Sequence, residues 1–431
     1  MASFPRYESY KDSGVKWLGE IPQHWELRKN KFLLKEKKDT VGKKSSNFTL
    51  LSLTLQGVIA RDMENPQGKF PAEFNTYKIV NSDDLIFCLF DVEETPRTVG
   101  HASQNGMITG AYEIFECGRE IDSRYFYYYY LSLDFDKRLQ SLYSGLRKVI
   151  KVDTFMGIKS PVPPVKEQQK IVEFLDRKTT EIDLAIAQKQ RLIELLKEQK
   201  AILIDRAVTK GLKLNVPMRD SGIDWIGEIP AHWEAKHVKH VSKFITSGPR
   251  GWAEYYTDEG SFFLQSGNLN NSMGIELQKA NIIQPPNGAE GRRTRLRDND
   301  VLVCITGANT GRVAIAKLDD EEVFINQHLC LIRSNEEIDP LFLSFCLHSS
   351  LGQTYFILSQ YGLKEGLGLE NIKNAFILKP SLNEQREISK FLSKNLNEFD
   401  KAEATILKQI NYLNELKYVF IAEAVTGNLK I

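Results

Sequence analysis

Residues 12–26 read DSGVKWLGEIPQHWE, and residues 220–234 read DSGIDWIGEIPAHWE. Eleven of the fifteen positions are identical, at an offset of 208 in a chain of 431 residues. Two tryptophans in register over such a span mark an internal duplication, and a repeat of this kind dictates how the rest of the chain is read. Gly14, Gly19 and Pro22 make the block turn-rich, while Trp17, Ile21 and Trp25 are the residues expected to plug into a core.

The repeat extends outward from the block. IDSRYFYYYYLSL, from Ile121, matches IDPLFLSFCLHSS, from Ile338. PPVKEQQKIVEFL runs into Glu167 and Gln168 as PSLNEQREISKFL runs into Glu384 and Gln385, and DRAVTKGLKL matches AEAVTGNLKI. Gly145 and Arg147 recur as Gly362 and Lys364. From Glu167 to Lys210 there is no Pro or Gly. Val172, Leu175, Ile182, Ile186, Ile193, Leu196, Leu203 and Ala207 fall in a 3-4 alternation, with Thr179, Lys189 and Lys200 in the remaining seam positions. Leu392, Phe399, Ile406, Leu413 and Phe420 stand seven apart in the second copy. The stretches ahead of these helices are rich in short β-branched and aromatic runs, such as FTLLSLTL, YKIV, DLIFCLF and YEIFEC in the first half and VLVCIT, RVAIA and HLCLI in the second. Residues 122–143 read as a helix, and its four-tyrosine run as core or interface. The basic stretch 28–45 reads either as a solvated helix face followed by a loop or as a phosphate-facing surface.

The expected fold is therefore α/β (α+β): two tandem globular domains and two long helices that pair antiparallel as a coiled coil, in a pseudo-two-fold internal repeat. A helix of this kind is about 60 Å long at 1.5 Å per residue, so it would hold the two domains apart. The boundaries read as a first domain over 1–163, a first helix over 164–211, a second domain over 212–380, and a second helix with C-terminal tail over 381–431.

Composition is that of a globular chain, 42% hydrophobic and 26% charged. The formal net charge of +1 gives no global basic signal, so any nucleic-acid surface has to come from local clustering. The five cysteines contain no CxxC pair, which points away from zinc or a disulfide framework and fits a reducing compartment. With no leader pattern and no apolar run of about 18 residues, the chain reads as cytoplasmic and not bound to a membrane.

Catalysis needs a constellation, and none stands out. GANTGR (307–312) lacks the Lys-Ser/Thr end of a phosphate loop, and GLKEGLG (362–368) follows no strand. HVKH (237–240) has no third metal ligand, and His24 and His232 read as hydrogen-bonded core residues beside tryptophan. What recurs is basic, amide and aromatic loop chemistry suited to base edges and phosphates. In the first half the DNA-contact candidates are Gln56, Arg61, Arg97, His101, Arg147 and Lys148. In the second they are Arg250, Trp252, Gln265, Asn268, Arg292, Arg293, Asn309, Arg312, Asn326, Gln327, His328 and Lys364.

The paired DSG-x-x-W-[LI]-G-E-I-P-x-H-W blocks, the exits into Glu-Gln and the A-V-T helix ends together resemble the DNA specificity subunit of type I restriction-modification enzymes. The resemblance covers essentially the whole chain; the second exit, LKPSLNEQR, departs only in losing the double proline. It implies a non-catalytic DNA-binding subunit. Each globular part would be a target recognition domain reading one half of a split, asymmetric site, and the helices would set the gap. It further implies two methyltransferase (modification) subunits and restriction or motor subunits as partners, with S-adenosylmethionine, ATP and Mg on those partners and no cofactor on this chain. Two other readings of the residues stay open here: a solitary DNA methyltransferase or nuclease with an unrecognised site, and a free-standing bipartite DNA-binding regulator.

Overall fold

The DSG…HWE block folds the same way twice in the computed structural model, which describes residues 5–63, 73–143, 148–223, 225–360 and 366–431. Tyr10–Asp12 pairs antiparallel with Glu20–Pro22, and Met218–Asp220 with Glu228–Pro230. The Asp carboxylate of each block accepts the amide of its glycine two residues on, at 2.9 Å (Asp12 to Gly14) and 3.0 Å (Asp220 to Gly222). Gly14 and Gly19 have φ of +64° and +67°, and Gly222 and Gly227 +75° and +72°. Left-handed backbone at both corners is why glycine recurs at both. The turn delivers Ile21 and Trp25, and Ile229 and Trp233, into the interior at 0–1% exposure.

Packing divides the chain into two compact units, Met1–Gln190 with Leu407–Ile431, and Arg191–Ile406. In the first, a four-stranded antiparallel sheet runs in the order Leu34–Lys37, Glu113–Cys117, Leu85–Phe87, Val99–His101. In the second, Ser242–Ser247, Leu329–Ser334, Val301–Cys304 and Val313–Ile315 repeat that order. A flanking pair follows in each: Glu26–Lys29 with Lys159–Val162, and Glu234–His237 with Phe376–Lys379. The copies differ in the strands that flank this sheet. The first has the hairpin Leu51–Thr54/Gly57–Ala60; the second has Tyr256–Leu264 running parallel to Val323–Ile325.

The helix predicted over 122–143 is Ser123–Phe135, followed by a short 3-10 turn, Arg138–Leu142. Asp122 caps it by accepting from the amides of Arg124 and Tyr125, and Asp339 caps Pro340–His348 in the same way. The tyrosine run is core: Tyr129 and Tyr130 are 0% exposed. Phe87, Phe115, Tyr130 and Phe155 pack with ring centroids 4.7–5.8 Å apart, contacts worth about 0.5–1.5 kcal/mol each beyond their burial.

The basic stretch 28–45 is not a helix. Leu34–Lys37 is a strand because it pairs with Glu113–Cys117 and buries Leu34. Several of its charges are already spent: Arg28 is paired with Glu120, and Lys37 lies 2.5 Å from Asp84. Burial still holds the Asp84 carboxyl above the usual range.

The long helices are Val165–Lys210 and Leu382–Thr426. Within the first unit Phe174 meets Phe420, Asp183 binds Lys417 at 2.7 Å, and Lys189 donates to Gln409 at 2.6 Å. Within the second, Lys200 binds Asp400 at 2.5 Å and Lys197 binds Glu403 at 3.4 Å. Numbers rise on one helix as they fall on the other, so the helices run antiparallel in each unit. Val172, Leu175, Ile182, Ile193 and Ala207 are buried as the spacing predicted; Ile186, Leu196 and Leu203 are half-buried. The lysines in the seam are tolerated because each finds a polar partner on the other helix.

Among the described residues no single helix is long and apolar enough to cross a membrane.

Candidate nucleic-acid interface

Two kinds of surface emerge from this frame, one shared by the copies and one that differs. The shared one is a joint between block and helix. Glu167, in the first turn of its helix, binds His24 at 2.9 Å and accepts the Trp25 indole N–H at 3.0 Å; the Tyr7 hydroxyl also donates to it. Glu384 binds His232 at 2.9 Å. Both histidines are half exposed rather than core, because the carboxylate that anchors them stands at the domain surface.

The neighbouring glutamines are fully buried. Gln168 accepts the Asp122 amide at 2.7 Å and donates to the carbonyls of Pro163 and Glu120. Gln385 accepts the Asp339 amide at 2.8 Å and donates to Pro380 and Glu337. The A-V-T ends seat on the same joints. Gly427 meets Pro22 and Trp25, Gly211 meets Trp233, and the Tyr125 hydroxyl donates to the Val425 carbonyl at 3.1 Å. The sequence motifs that carry the repeat are thus absorbed by structural hydrogen bonds.

The surface that differs is the loop cluster at the end of each sheet. In the second domain, turns following Tyr256–Leu264, Val301–Cys304 and Val323–Ile325 are stapled to one another. The Asn326 amide donates to the Leu264 carbonyl at 3.0 Å, and the Ile305 amide to the His328 carbonyl at 2.9 Å. Asn309 Nδ2 donates to the Ser266 carbonyl at 3.1 Å, and Arg312 Nη1 to the Leu269 carbonyl at 2.8 Å. Seven candidates, Gln265, Asn268, Asn309, Arg312, Asn326, Gln327 and His328, are brought together here. Asn268 and Asn326 are buried turn formers whose side chains accept backbone amides (Gln265 N and His328 N). Gln265 donates to the Tyr256 hydroxyl at 2.7 Å. His328 is held between the Thr306 hydroxyl and Gln327. The Thr306–His328 contact ties the turn after Val301–Cys304 to the turn after Val323–Ile325.

The remaining candidates of this domain are dispersed. Arg250 and Arg292 are exposed. Arg293 is turned inward, donating to the Ser247 carbonyl at 2.7 Å and to the Thr246 hydroxyl. Trp252 is 3% exposed and packs with Phe263, Ile283 and Phe324, so it is a core residue with no face for a base.

In the first domain Gln56 is exposed at the tip of the 51–60 hairpin, and Arg61 follows that hairpin half-buried. Arg97 donates from Nη2 to the Leu55 carbonyl at 3.1 Å and lies 3.7 Å from the buried Asp134 carboxylate. His101 is enclosed beside Ser123 (3.0 Å) and Asp83 (3.3 Å), and burial holds its imidazole below the usual value of 6.5. Lys148 is exposed but paired with both Glu93 and Glu94, whose hydrogen bonds push its ammonium up. Arg147 and Lys364 lie outside the described residues. Their flanks do not: the Ile150 amide donates to the Leu89 carbonyl and the Leu367 amide to the Ile305 carbonyl, both at 2.7 Å.

Sequence reading missed several partners here, notably Thr306, Tyr256 and the carbonyls of Ser266 and Leu269. It also missed an equivalence inside the divergent halves. Cys88 Sγ donates to the Phe90 carbonyl as Cys304 Sγ does to Thr306, and Asp84 and Asp300 each hold a turn amide and a basic side chain. A matched Asp and a matched Cys, both at an offset of 216, signalled it.

Among the described residues no cluster of three metal-ligating side chains exists, and the five cysteines are unpaired. Burial pushes the Cys117 thiol up to about 12, which makes it a poor nucleophile.

A family model, the type I restriction modification DNA specificity domain, matches residues 110–195 and 255–412, more than half of the chain. The chain belongs to the type I restriction-modification DNA specificity family. Its part in such a system is recognition of DNA sequence, not catalysis. It is 26% identical over 279 residues to the EcoBI specificity subunit of Escherichia coli, a match spanning 62% of this chain and 58% of that protein. The putative MjaX specificity subunit of Methanocaldococcus jannaschii is 22% identical over 454 aligned residues, covering 100% of this chain and 99% of the relative. In fold, the HsdS subunit from Thermoanaerobacter tengcongensis superposes with a TM-score of 0.51 over 95% of this chain and 98% of that one, at 15% identity. A chain from a type I R-M system, solved for its complex assembly and conformational transition, gives 0.72 over 95% and 99%, also at 15% identity.

Proposed function

We propose that the chain reads a bipartite, asymmetric DNA site, one recognition domain per half-site, and that the paired helices fix the unread gap. The observation that carries this is the contrast between the copies: the sheet order and the Glu167/Glu384 and Gln168/Gln385 joint bonds recur, while the loop clusters at the sheet ends differ. A duplicated scaffold with divergent loops suits two different half-sites joined at a fixed spacing. On this reading the recognition domains span 1–163 and 212–380, the first spacer helix 164–211, and the second spacer helix with the C-terminal tail 381–431.

The exposed Gln56, Arg250 and Arg292, with Gln265, Gln327 and His328 at the loop surface, are the side chains from which base and phosphate contacts are drawn. Trp252 has no part in it. Two modification subunits dock on the shared surfaces in the cytoplasm and carry the S-adenosylmethionine chemistry, taking the target base out of the stack. Restriction subunits with ATP and Mg join them.

The test is to map methylated bases in a host carrying this chain with its modification partner. A split motif with a constant gap is expected. A continuous motif, or methyl transfer by this chain purified alone, would refute the reading.

A further inference from the structure

In both copies an arginine that closes the turn after the third sheet strand reaches across to a carbonyl of the loop that differs most between them. In the first domain Arg97 Nη2 donates to the Leu55 carbonyl, beside Gln56 at the hairpin tip. In the second Arg312 Nη1 donates to the Leu269 carbonyl, in the turn that displays Gln265. These are not equivalent residues. The Cys88 amide donates to the Thr98 carbonyl where the Cys304 amide donates to Arg312, so Arg97 stands one residue earlier on the ladder. One register step turns a side chain to the other face of a strand. The two arginines therefore approach their loops from different sides: Arg97 leans on Asp134 of the helix, while position 311, its counterpart, faces Gln353 and Phe356 as a glycine. The same connection has been made twice by different means.

The surroundings favour a holding role over a reading role. Arg97 has a 15% exposed side chain, and its Nε is buried without a partner. Arg312 is half-buried, and its loop is tied a second time by Asn309 Nδ2 on the Ser266 carbonyl. Each guanidinium commits one of its five N–H groups to a loop carbonyl, and its burial restricts the access of the others to a base edge. It can, however, set the distance between two loops that must both meet DNA, and a small displacement of a reading group costs discrimination.

We infer that Arg97 and Arg312 are positioning residues for sequence reading, each fixing the recognition loop of its own domain. This rests on the bipartite reading above. The test is the methylome of a host expressing the full chain with its modification partner, for wild type, Arg97→Met, Arg312→Met and the corresponding Lys variants. The Met variants should relax discrimination at one half-site only, by about tenfold at the affected base, the scale of one lost hydrogen bond. The Lys variants, which keep a donor, should restore the wild-type motif. Uniform loss of methylation with an unchanged motif would reduce the arginines to stability alone. A new base preferred in a Lys variant would make them direct readers. Either result overturns the inference. A wild-type motif without a gap would instead refute the bipartite reading, so the two failures are separable.

Discussion

Gln385 holds the second joint together, and its removal gives a stability change that follows from geometry. Its side chain is fully buried and satisfies three backbone groups: the Asp339 amide at 2.8 Å and the carbonyls of Pro380 and Glu337 at 2.9 and 3.2 Å. Gln385→Met keeps the volume and strips all three partners. A buried polar group left unpaired costs about 1–3 kcal/mol, so with some relief from water the variant should lose about 2–5 kcal/mol. Gln168→Met should lose a similar amount in the first unit, since Gln168 makes the matching bonds. The assay is native-state hydrogen exchange followed by peptide, which assigns the loss to a unit where a single unfolding midpoint of a two-unit chain does not. Each variant should speed exchange in its own unit, and the double variant should show both effects added. A loss below about 0.5 kcal/mol for Gln385→Met would mean the three bonds are dispensable and the reasoning wrong.

Two further outcomes follow from the same packing. Gly427→Ala should destabilise the first unit more than Gly211→Ala destabilises the second, as read by the same exchange experiment. Both have left-handed backbone (φ +81° and +73°), but a Cβ at 427 would run into the Pro22 ring, while at 211 the nearest atom is 3.1 Å away on Trp233. Acidification should also weaken both units through His101 and His348, whose imidazoles burial holds below 6.5. The unfolded chain takes up the proton first, so the stability of the neutral, folded form is full above the unfolded pKa. It drains away as pH falls from there through the depressed folded value. Thermal melts at pH 7.5 and 5.5 should differ less for the His101→Gln/His348→Gln double variant than for wild type.

The repeat and the helices were legible in sequence because their physics is local. A seven-residue apolar spacing without Pro or Gly has one economical reading, and glycines at two left-handed corners leave their mark wherever the turn recurs. The basic stretch at 28–45 misled because pairing with Glu113–Cys117, a contact some eighty residues away, outweighed composition. Trp252 misled similarly: a lone tryptophan near arginines suits base stacking, but the partners that bury it, Phe263, Ile283 and Phe324, come from three separate strands. The loop cluster of the second domain was half visible. Its amides and arginines could be picked out by type, but Asn309 and Arg312 are spent on carbonyls of a neighbouring turn and Asn268 and Asn326 on backbone amides, and backbone partners carry no sequence signal.

The central claim is that the helices set the gap while the loops set the bases. The boundary between the two units falls inside both helices, after Gln190 and after Ile406. Inserting seven residues at both points lengthens each helix by about 10 Å, which is about three base pairs of DNA. Methylome mapping of that variant should return both half-sites unchanged with the gap about three base pairs longer. Altered half-site bases at an unchanged gap would contradict the account.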